Sequence, residues 1–476
     1  MAAVCVLAMS ACAAAPEATQ EDPLQALGPT AKLSFVVVDA QNGKVLATQD
    51  ADHPMPPAST AKVPTMLAAL ELLGPDYRFR TRVLATSAPD QDGILNGDLI
   101  LAGGGDPLLT PHDLYGLAVR LHDLGLRNVT GRFLVDETLL PSLPEINPEQ
   151  PAQARYNPGV SALSVDFNRW RMTWRDGVIV RLPPLDAYAG RLGTAPNGPG
   201  QDVLWQRDAW VVGADAAETG DRFLPTKSPG LATAQLFQRL AAQTGITLPM
   251  PRIAAAPAAA QPVTEAMSRP LGEIVRLGLQ HSNNLVAELI GLTTARMLSG
   301  RPDDLATSSA IVGRWLRSTI SQAIPDADWH GWDLPNHSGL SRHARVTANQ
   351  MAAVLHFAWR QRYGGWPFAA YLPSAGFNRA FRDRFLTEDA IGRIWAKTGT
   401  LHYAKGLVGY LTGPNGRPLV FALYIADPTA RSTYDGLSAD ARALPDEQAR
   451  ALAWIDKAEQ AEQALVLEWL ERFALP

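Results

Sequence analysis

An α/β pattern opens this chain, another closes it, and a long β-rich block separates the two. A strand predicted at 33–39 pairs with 44–48 across the turn Asn42-Gly43, and a helical pattern over 59–73 follows. Short β-like runs broken by glycine, proline and aspartate then continue to a linker-like stretch, AAAPAAAQP, that ends at Pro262. This order favours one α/β domain into which the β-rich block is inserted.

The closing part supplies most of the predicted helices and strands. The predicted helices cover 271–279, 284–298, 305–320 and 445–473, and the predicted strands cover 391–397, 405–412 and 418–426. We therefore expect three regions along the chain: a leader and flexible start at 1–25, a catalytic domain made of 26–85 plus 263–476, and an inserted β-rich region at 86–262.

Composition excludes several classes of protein. Apolar residues make up 46% of the 476 residues and charged residues 19%, which is a globular balance. The net charge of −5 shows no basic excess, so we expect no nucleic-acid partner. Two cysteines are too few for a disulfide framework or a thiolate metal cage, and we expect neither a metal nor a cofactor.

The first fifteen residues, MAAVCVLAMSACAAA, are small, apolar and uncharged. They are too short to span a bilayer and are typical of a secretory signal, which predicts export to the bacterial periplasm or cell envelope. Met9-Ser10-Ala11-Cys12 also resembles a lipid-attachment site. A lipid anchor at Cys12 is therefore the alternative to simple cleavage after Ala13.

Ser59-Thr60-Ala61-Lys62 is the first chemical signal. Side chains three residues apart lie on one face of a helix, and the start of a helix favours a developing anion. A serine hydroxyl needs a base to become a nucleophile, and a lysine with a lowered pKa can supply one. A surface serine and lysine on an ordinary helix are the alternative. Lysine is scarce here, with only seven among 42 basic residues, so a lysine inside a motif carries weight.

Two further signals occur once each. Ser282-Asn283-Asn284 begins a helical pattern, and a simple helix cap is its alternative interpretation. Lys397-Thr398-Gly399 ends an apolar strand. There a lysine and a threonine can bind a carboxylate, and glycine lets a substrate backbone come close. A strand that leads into a turn is the alternative.

The three signals in this order form the signature of penicillin-recognising serine enzymes. Ser282 follows Ser59 by 223 residues, which is too far for a compact serine β-lactamase. The surrounding segments PASTAKV, LAGGGDPLL, YNPGVSALSVDFN, SRPLGEIVRLGLQHSNNLVAEL, HSGLSRHARVT and AKTGTL resemble those of the D-alanyl-D-alanine carboxypeptidase/endopeptidase family. This is peptidase family S13, the low-molecular-mass class C penicillin-binding proteins, and the resemblance spans nearly the whole mature chain.

The resemblance implies a transpeptidase-like α/β (α+β) domain with an antiparallel sheet flanked by helices and a β-rich insertion after the nucleophile helix. It implies that Ser59 attacks a D-Ala-D-X peptide bond, with Lys62 as base and Lys397 helping to keep Lys62 neutral. It also implies that Ser282 passes a proton towards the leaving amine and that Asn284 hydrogen-bonds the substrate amide or Lys62. The backbone N–H groups of Ser59 and Thr400 form the oxyanion hole. Lys397 and Thr398 hold the substrate carboxylate, with Gly399 beside them.

By the same resemblance, Asp166 and Arg342 line a pocket for the third residue of a peptidoglycan stem peptide. A turn carboxylate and a surface ion pair are the alternative interpretations of these two residues. Peptidoglycan stem peptides and β-lactam antibiotics are the expected partners.

Four departures from the family pattern stand out. Asn283 replaces Asp, Asn336-His337 replaces Asp-Gly, and His402 stands where a relative has Gln at the rim of the pocket. Pro64 removes a backbone donor near Lys62 and predicts a local kink.

Other classes of protein are weighed against this one. A Gly-x-Ser-x-Gly hydrolase and a His-Glu-x-x-His metalloprotease lack their motifs here. A non-catalytic cell-wall or β-lactam-binding scaffold stays open, as does a related esterase or β-lactamase of the same superfamily.

Overall fold

A computed structural model describes residues 25–197, 201–300, 302–413, 416–442 and 444–473. The predicted leader and Cys12 lie outside these residues. Short 3-10 turns occur at Gln25–Leu27, Ala58–Ala61, Asp166–Asn168, Phe368–Tyr371 and Arg379–Phe381. The α-helices are α1 (Lys62–Leu72), α2 (Pro111–Asp123), α3 (Pro229–Gln243), α4 (Leu271–His281), α5 (Asn284–Ser299), α6 (Leu305–Ala323), α7 (Ala348–Trp359), α8 (Pro428–Gly436), α9 (Ala439–Arg442) and α10 (Pro445–Phe473).

Most strands are short, and the long ones cluster near the two ends of the chain. They are β1 (Lys32–Asp39), β2 (Val45–Gln49), β3 (Arg80–Ala85), β4 (Ile94–Leu95), β5 (Leu99–Ala102), β6 (Asn128–Val129), β7 (Phe133–Asp136), β8 (Arg169–Arg175), β9 (Val178–Leu182), β10 (Gly190–Leu192), β11 (Val203–Gln206), β12 (Ala209–Val212), β13 (Thr219–Pro225), β14 (Pro251–Ile253), β15 (Gln261–Met267), β16 (Arg362–Tyr363), β17 (Trp366–Pro367), β18 (Ile394–Leu401), β19 (Ala404–Thr412) and β20 (Pro418–Ala426).

A five-stranded antiparallel sheet joins the two ends of the chain in the order β18-β19-β20-β1-β2. Both faces of its central strands are buried, because successive side chains point to opposite faces and each face is covered by helices. On β20, Val420, Ala422 and Tyr424 face one core, while Phe421 and Leu423 face the other. This continuous apolar run explains why the strand was predictable from sequence.

Helices cover the two faces of this sheet unequally. Side chains of α1, α4, α5, α6 and α7 share one apolar core with the first face. The second face packs against α10, where Trp454, Ala458 and Trp469 are buried. β18 is the edge strand of this sheet; the outer side of its first residues, 394–396, is hydrogen-bonded to residues 373–375, and the motif residues Lys397, Thr398 and Gly399 follow this paired part.

The segment between β3 and β15 forms its own apolar core. Its five-stranded sheet has the order β14-β7-β5-β3-β15, and two three-stranded sheets have the orders β10-β12-β11 and β13-β8-β9. Helices α2 and α3 pack on the five-stranded sheet; the sequence analysis did not resolve these two helices. β3 and β15 pair antiparallel, so the chain leaves and re-enters the helical core side by side.

One loop of this segment packs against the helical core beside α5. Leu140 and Ile146 are buried together with Leu285, Leu289 and Leu340. Within the described ranges no helix is long and apolar enough to cross a membrane.

Candidate active site

The predicted nucleophile lies in a tight turn at the start of α1. Ser59 belongs to the 3-10 turn Ala58–Ala61, and the α-helix itself begins at Lys62. Pro64 is therefore in the first turn of α1, where a backbone N–H has no partner within the helix, so its missing donor breaks no bond of α1. Ala58 has a φ of 47°, a left-handed conformation that is rare for a residue with a Cβ. Such backbone strain persists only where the surroundings enforce it, as at functional sites.

Two glycines let other segments approach this turn closely. A Cβ added to Gly399 of β18 would lie 2.6 Å from the carbonyl oxygen of Pro57 and 3.2 Å from the backbone nitrogen of Ser59. A Cβ on Gly339 would lie 1.8 Å from the carbonyl oxygen of Ala58. The edge strand β18 and the 336–341 loop thus both contact the Ser59 turn, which brings the third motif against the first.

Lys62 is fully buried and has three oxygen partners. Its Nζ lies 2.8 Å from Ser59 Oγ, 2.8 Å from Asn284 Oδ1 and 2.7 Å from the carbonyl oxygen of Ser338. The orientation of the Asn284 amide is fixed, because its Nδ2 donates to the carbonyl oxygen of Tyr156 at 2.9 Å. Ser59, Lys62 and Asn284 are therefore brought together as one hydrogen-bonded group, the Ser59 group.

Burial lowers the pKa of Lys62 to about 7, and the charge of Glu288 opposes this shift. A neutral amine has two N–H bonds and one lone pair. The carbonyl oxygens of Asn284 and Ser338 accept those two hydrogens, which leaves the lone pair directed at Ser59 Oγ. A lysine held in this way can accept a proton from the serine hydroxyl.

The second motif forms the junction between α4 and α5. Ser282 ends α4 in a left-handed conformation with a φ of 52°, and the Asn283 side chain caps α5 by accepting the N–H of Val286. Asn283 therefore performs the capping that Asp in its place would perform. The helix cap is compatible with the catalytic interpretation, because the cap residue lies between Ser282 and Asn284, which contact the two motif lysines.

Lys397 of β18 is buried beside this junction. Its Nζ donates to Ser282 Oγ at 2.9 Å and to the carbonyl oxygen of Thr398 at 2.6 Å. Burial lowers its pKa well below the usual lysine value, and the charges of Lys62 and Lys405 lower it further. Burial lowers the pKa of both motif lysines, and because repulsion between two positive charges is mutual, a charge on either lysine favours the neutral form of the other.

Glu288 is a residue that the sequence analysis missed. It lies four residues after Asn284, on the same face of α5, and is fully buried. Its carboxylate accepts the backbone N–H of His337 at 3.0 Å and that of Ser338 at 2.9 Å. Burial raises its pKa, and these hydrogen bonds and Lys62 lower it. A glutamate inside an otherwise apolar helical pattern was the available signal.

The departure at Asn336-His337 has a local explanation. The His337 ring fills the space over Gly291 of α5, where an added Cβ would lie 2.1 Å from the ring. Its Nε2 is 2.8 Å from Ser308 Oγ, and burial lowers its pKa to about 3, so the ring is neutral. Asn336 in turn accepts the N–H of Gly339 at 2.9 Å, so both residues of this departure have a partner in the structure.

The remaining predicted residues make their described contacts outside this group. Burial raises the pKa of Asp166, which has a φ of 48° and donates its backbone N–H to Leu109. Arg342 pairs with Glu149 at 2.8 Å. The contacts described for Asp166 and Arg342 do not include the Ser59 group, so their roles stay predictions.

Thr400 and His402 lie at the end of β18 and in the turn that follows. Thr400 is exposed, and its Oγ1 accepts from Lys405 Nζ at 3.1 Å. The His402 ring packs 4.4 Å from the Tyr434 ring, and burial lowers its pKa. Among the residues that the structure describes, no group of three or more potential metal ligands is found.

A helix-flanked antiparallel sheet with Ser-x-x-Lys, Ser-x-Asn and Lys-Thr-Gly around one turn is the arrangement of penicillin-recognising serine enzymes. The family model of the D-Ala-D-Ala carboxypeptidase 3 (S13) family matches residues 17–442, and the chain belongs to this family.

Relatives with established names agree with this assignment. A D-alanyl-D-alanine carboxypeptidase of Actinomadura sp. (strain R39) is 29% identical over 428 residues, which cover 82% of this chain and 76% of that protein. The D-alanyl-D-alanine carboxypeptidase DacB of Haemophilus influenzae is 24% identical over 440 residues, which cover 85% of this chain and 87% of that protein. The crystal structure of penicillin binding protein 4 (dacB) from H. influenzae has a TM-score of 0.78 at 22% identity and covers 95% of this chain and 100% of that one.

These findings confirm the family and the fold class predicted from the sequence. They also confirm the predicted activity class, a serine-type D-Ala-D-Ala carboxypeptidase.

Proposed function

We propose that Ser59 is the nucleophile and Lys62 its general base in the cleavage of peptidoglycan stem peptides. The observation that carries this proposal is the environment of Lys62 Nζ. Two carbonyl oxygens take the N–H bonds of the neutral amine, and Ser59 Oγ lies at the third position, 2.8 Å away. A pKa of about 7 leaves a large neutral fraction at working pH.

The reaction begins when Ser59 Oγ attacks the carbonyl carbon of the D-Ala-D-X bond and its proton passes to Lys62. Negative charge on the carbonyl oxygen is stabilised by the backbone N–H groups of Ser59 and Thr400. The C–N bond then breaks, Ser282 passes a proton to the leaving amine, and an acyl-enzyme remains. Water attacks this ester, releases the shortened peptide and returns the proton to Ser59. β-Lactams acylate Ser59 in the same way, through opening of their amide.

Lys397 and Thr398 bind the carboxylate at the end of the substrate. Lys397 is buried, the described contacts of its Nζ are two neutral oxygen atoms, and its pKa is lowered, so an incoming carboxylate stabilises the charged form of the lysine and pairs with it. Gly399 leaves room for the peptide backbone along the edge strand. Asn284 contacts the substrate amide as well as Lys62.

The outer pocket selects the third residue of the stem peptide. Asp166 and Arg342 supply opposite charges for it, and His402 forms part of the rim. The raised pKa of Asp166 reflects partial burial, and a cationic group on the substrate would stabilise its charged form.

These substrates place the protein in the cell envelope. The relatives named above are D-alanyl-D-alanine carboxypeptidases, and one solved relative is penicillin binding protein 4 complexed with a β-lactam. Export through the apolar leader, with simple cleavage or with a lipid anchor at Cys12, fits this location.

Digestion of defined peptidoglycan fragments tests the proposal. Wild-type protein should release D-Ala from a stem pentapeptide, cleave a D-alanyl cross-link, or do both, and Ser59→Ala should do neither. The ratio of the two products measures the balance between carboxypeptidase and endopeptidase activity. Hydrolysis of benzylpenicillin with no action on either peptide would instead support the β-lactamase alternative.

A further inference from the structure

Lys405 is a third buried lysine of the catalytic sheet, on the face that α10 covers, although no sequence motif includes it. It lies on β19, directly opposite Thr400 of β18, and only 3% of its side chain is exposed. Three of the seven lysines in the chain are therefore buried in one small region, at Lys62, Lys397 and Lys405.

The Lys405 ammonium links the end of β18 to the last helix. Its Nζ donates to Thr400 Oγ1 at 3.1 Å and to Glu459 Oε2 at 2.8 Å. Glu459 belongs to α10, which covers the second face of the catalytic sheet. The side chain of Lys405 therefore connects Thr400 to α10 through two hydrogen bonds.

A second pair of charges holds this link in place. Glu462 of α10 is fully buried, with Oε2 3.8 Å from Lys405 Nζ and 3.1 Å from Arg384 Nη2. Arg384 also lies 3.4 Å from Glu459, and its guanidinium is 5.0 Å from the Phe385 ring centroid. Two basic and two acidic side chains thus meet on this face of the sheet; Lys405, Arg384 and Glu462 are buried, and Glu459 lies at the edge with 38% of its side chain exposed.

Stability alone does not account for such a cluster. Removing charges from water is costly, and well-packed apolar side chains in place of a buried ion cluster are often as stable or more so. The neighbouring positions on this face, such as Leu407 and Phe421, are apolar. The hydrogen bond from Lys405 to Thr400 connects this cluster to β18, whose Gly399 lies against the Ser59 turn.

We propose that Lys405 is a positioning residue that holds the Thr400 side chain, and so orients the Thr400 backbone N–H toward the substrate carbonyl oxygen. Glu459, Glu462 and Arg384 anchor Lys405 to α10. This inference rests on the proposed role of Thr400 in the oxyanion hole. It makes α10 part of the catalytic apparatus, although no residue of α10 touches the reacting atoms.

Rates of acylation by benzylpenicillin test the proposal through a double-mutant cycle of Thr400→Val and Lys405→Met. Each single variant should be acylated about 10-fold more slowly, a fraction of what removal of an oxyanion donor costs. The double variant should be no slower than the slower single variant, because both changes break the same contact. Lys457→Met, on the exposed side of α10, is the matched control and should match wild type.

Two results would overturn the inference. One is a double variant whose acylation rate falls by the product of the two single-variant factors. Lys405 would then act independently of Thr400. The other is an unchanged acylation rate for Thr400→Val. Because this variant keeps all four charged side chains, it tests the inference even if Lys405→Met unfolds.

Hydrogen exchange of the peptide 397–404 separates this inference from the proposed catalytic role. Lys405→Met and Thr400→Val should each speed exchange there at least 10-fold, and Lys457→Met should not. If the two variants exchange faster than wild type but benzylpenicillin fails to acylate even the wild-type protein, the positioning contact is upheld and the proposed function is refuted. Unchanged exchange in both variants would refute the positioning contact itself.

Discussion

The carboxylate of Glu288 accepts the backbone N–H of Ser338 at 2.9 Å, and the carbonyl oxygen of Ser338 accepts a hydrogen bond from Lys62 at 2.7 Å. The buried carboxylate of Glu288 thus orients the loop so that the carbonyl oxygen of Ser338, and not its N–H, faces Lys62. Asn284, one turn earlier on α5, supplies the other carbonyl acceptor. A single helix face therefore orients both carbonyl acceptors of Lys62, the proposed base.

Replacing Glu288 by Gln should shift the pH dependence of acylation. The charge of Glu288 raises the pKa of Lys62, so its removal lowers that pKa below about 7. Acylation requires neutral Lys62, and the acidic limb of the rate profile should therefore move to lower pH. Rates of benzylpenicillin acylation from pH 5 to 8 measure the shift. Glu273→Gln, a half-exposed glutamate on α4, is the control, and a shift of the Glu288→Gln limb to higher pH would contradict this account.

Replacing Lys62 by Arg should abolish acylation while the charge is kept. Arginine cannot give up its proton at working pH, so it cannot accept one from Ser59. In wild type, the acylation rate should rise with pH through a midpoint near 7, the pKa of Lys62. Surviving activity in a folded Lys62→Arg protein, checked by circular dichroism, would mean that another group is the base.

Replacing Gly399 by Ala should impair the reaction without unfolding the protein. The new Cβ would lie 2.6 Å from the carbonyl oxygen of Pro57, so the Ser59 turn or β18 must move. A displacement of about 1 Å at reacting groups costs about 100-fold in rate. Gly436→Ala, where an added Cβ meets no atom within 4 Å, should match wild type in the same acylation assay. Equal rates for the two variants would show that β18 does not constrain the turn.

Replacing Gly291 by Ala should destabilise the protein by about 1–3 kcal/mol, because the Cβ overlaps the His337 ring. Adding His337→Gly should recover part of this loss, since the substitution removes the ring that the methyl group meets. Thermal unfolding of the single and double variants measures both effects. In Gly313→Ala the closest neighbour is the flexible end of Arg317, at 3.3 Å, and stability should be retained. An unchanged melting temperature for Gly291→Ala would refute the overlap.

Sequence patterns predicted the long elements well. Strand β20 was predicted at its observed bounds and the last helix likewise, because each has a long and regular apolar pattern. Helices α2 and α3 escaped prediction, because both lie in a segment dominated by short strands and turn residues. The domain boundaries at 85/86 and 262/263 stay predictions.

The motif residues were predictable because each motif is a short and rare sequence pattern that is typical of one kind of catalytic chemistry. Ser59, Lys62 and Asn284 do lie in one hydrogen-bonded group, as the patterns indicated. Glu288 and Lys405 were not found, because their contacts join distant parts of the chain and depend on tertiary packing. The scarcity of lysine was the one signal that could have pointed to Lys405.

The most direct test of the central claim is the intact mass of the protein after brief exposure to benzylpenicillin. The account predicts a gain of one penicillin on wild type and none on Ser59→Ala. No gain on wild type, with the penicillin still intact in solution, would contradict the assignment of Ser59 and Lys62 as a working acylation centre. A gain that persists on Ser59→Ala would place the nucleophile elsewhere.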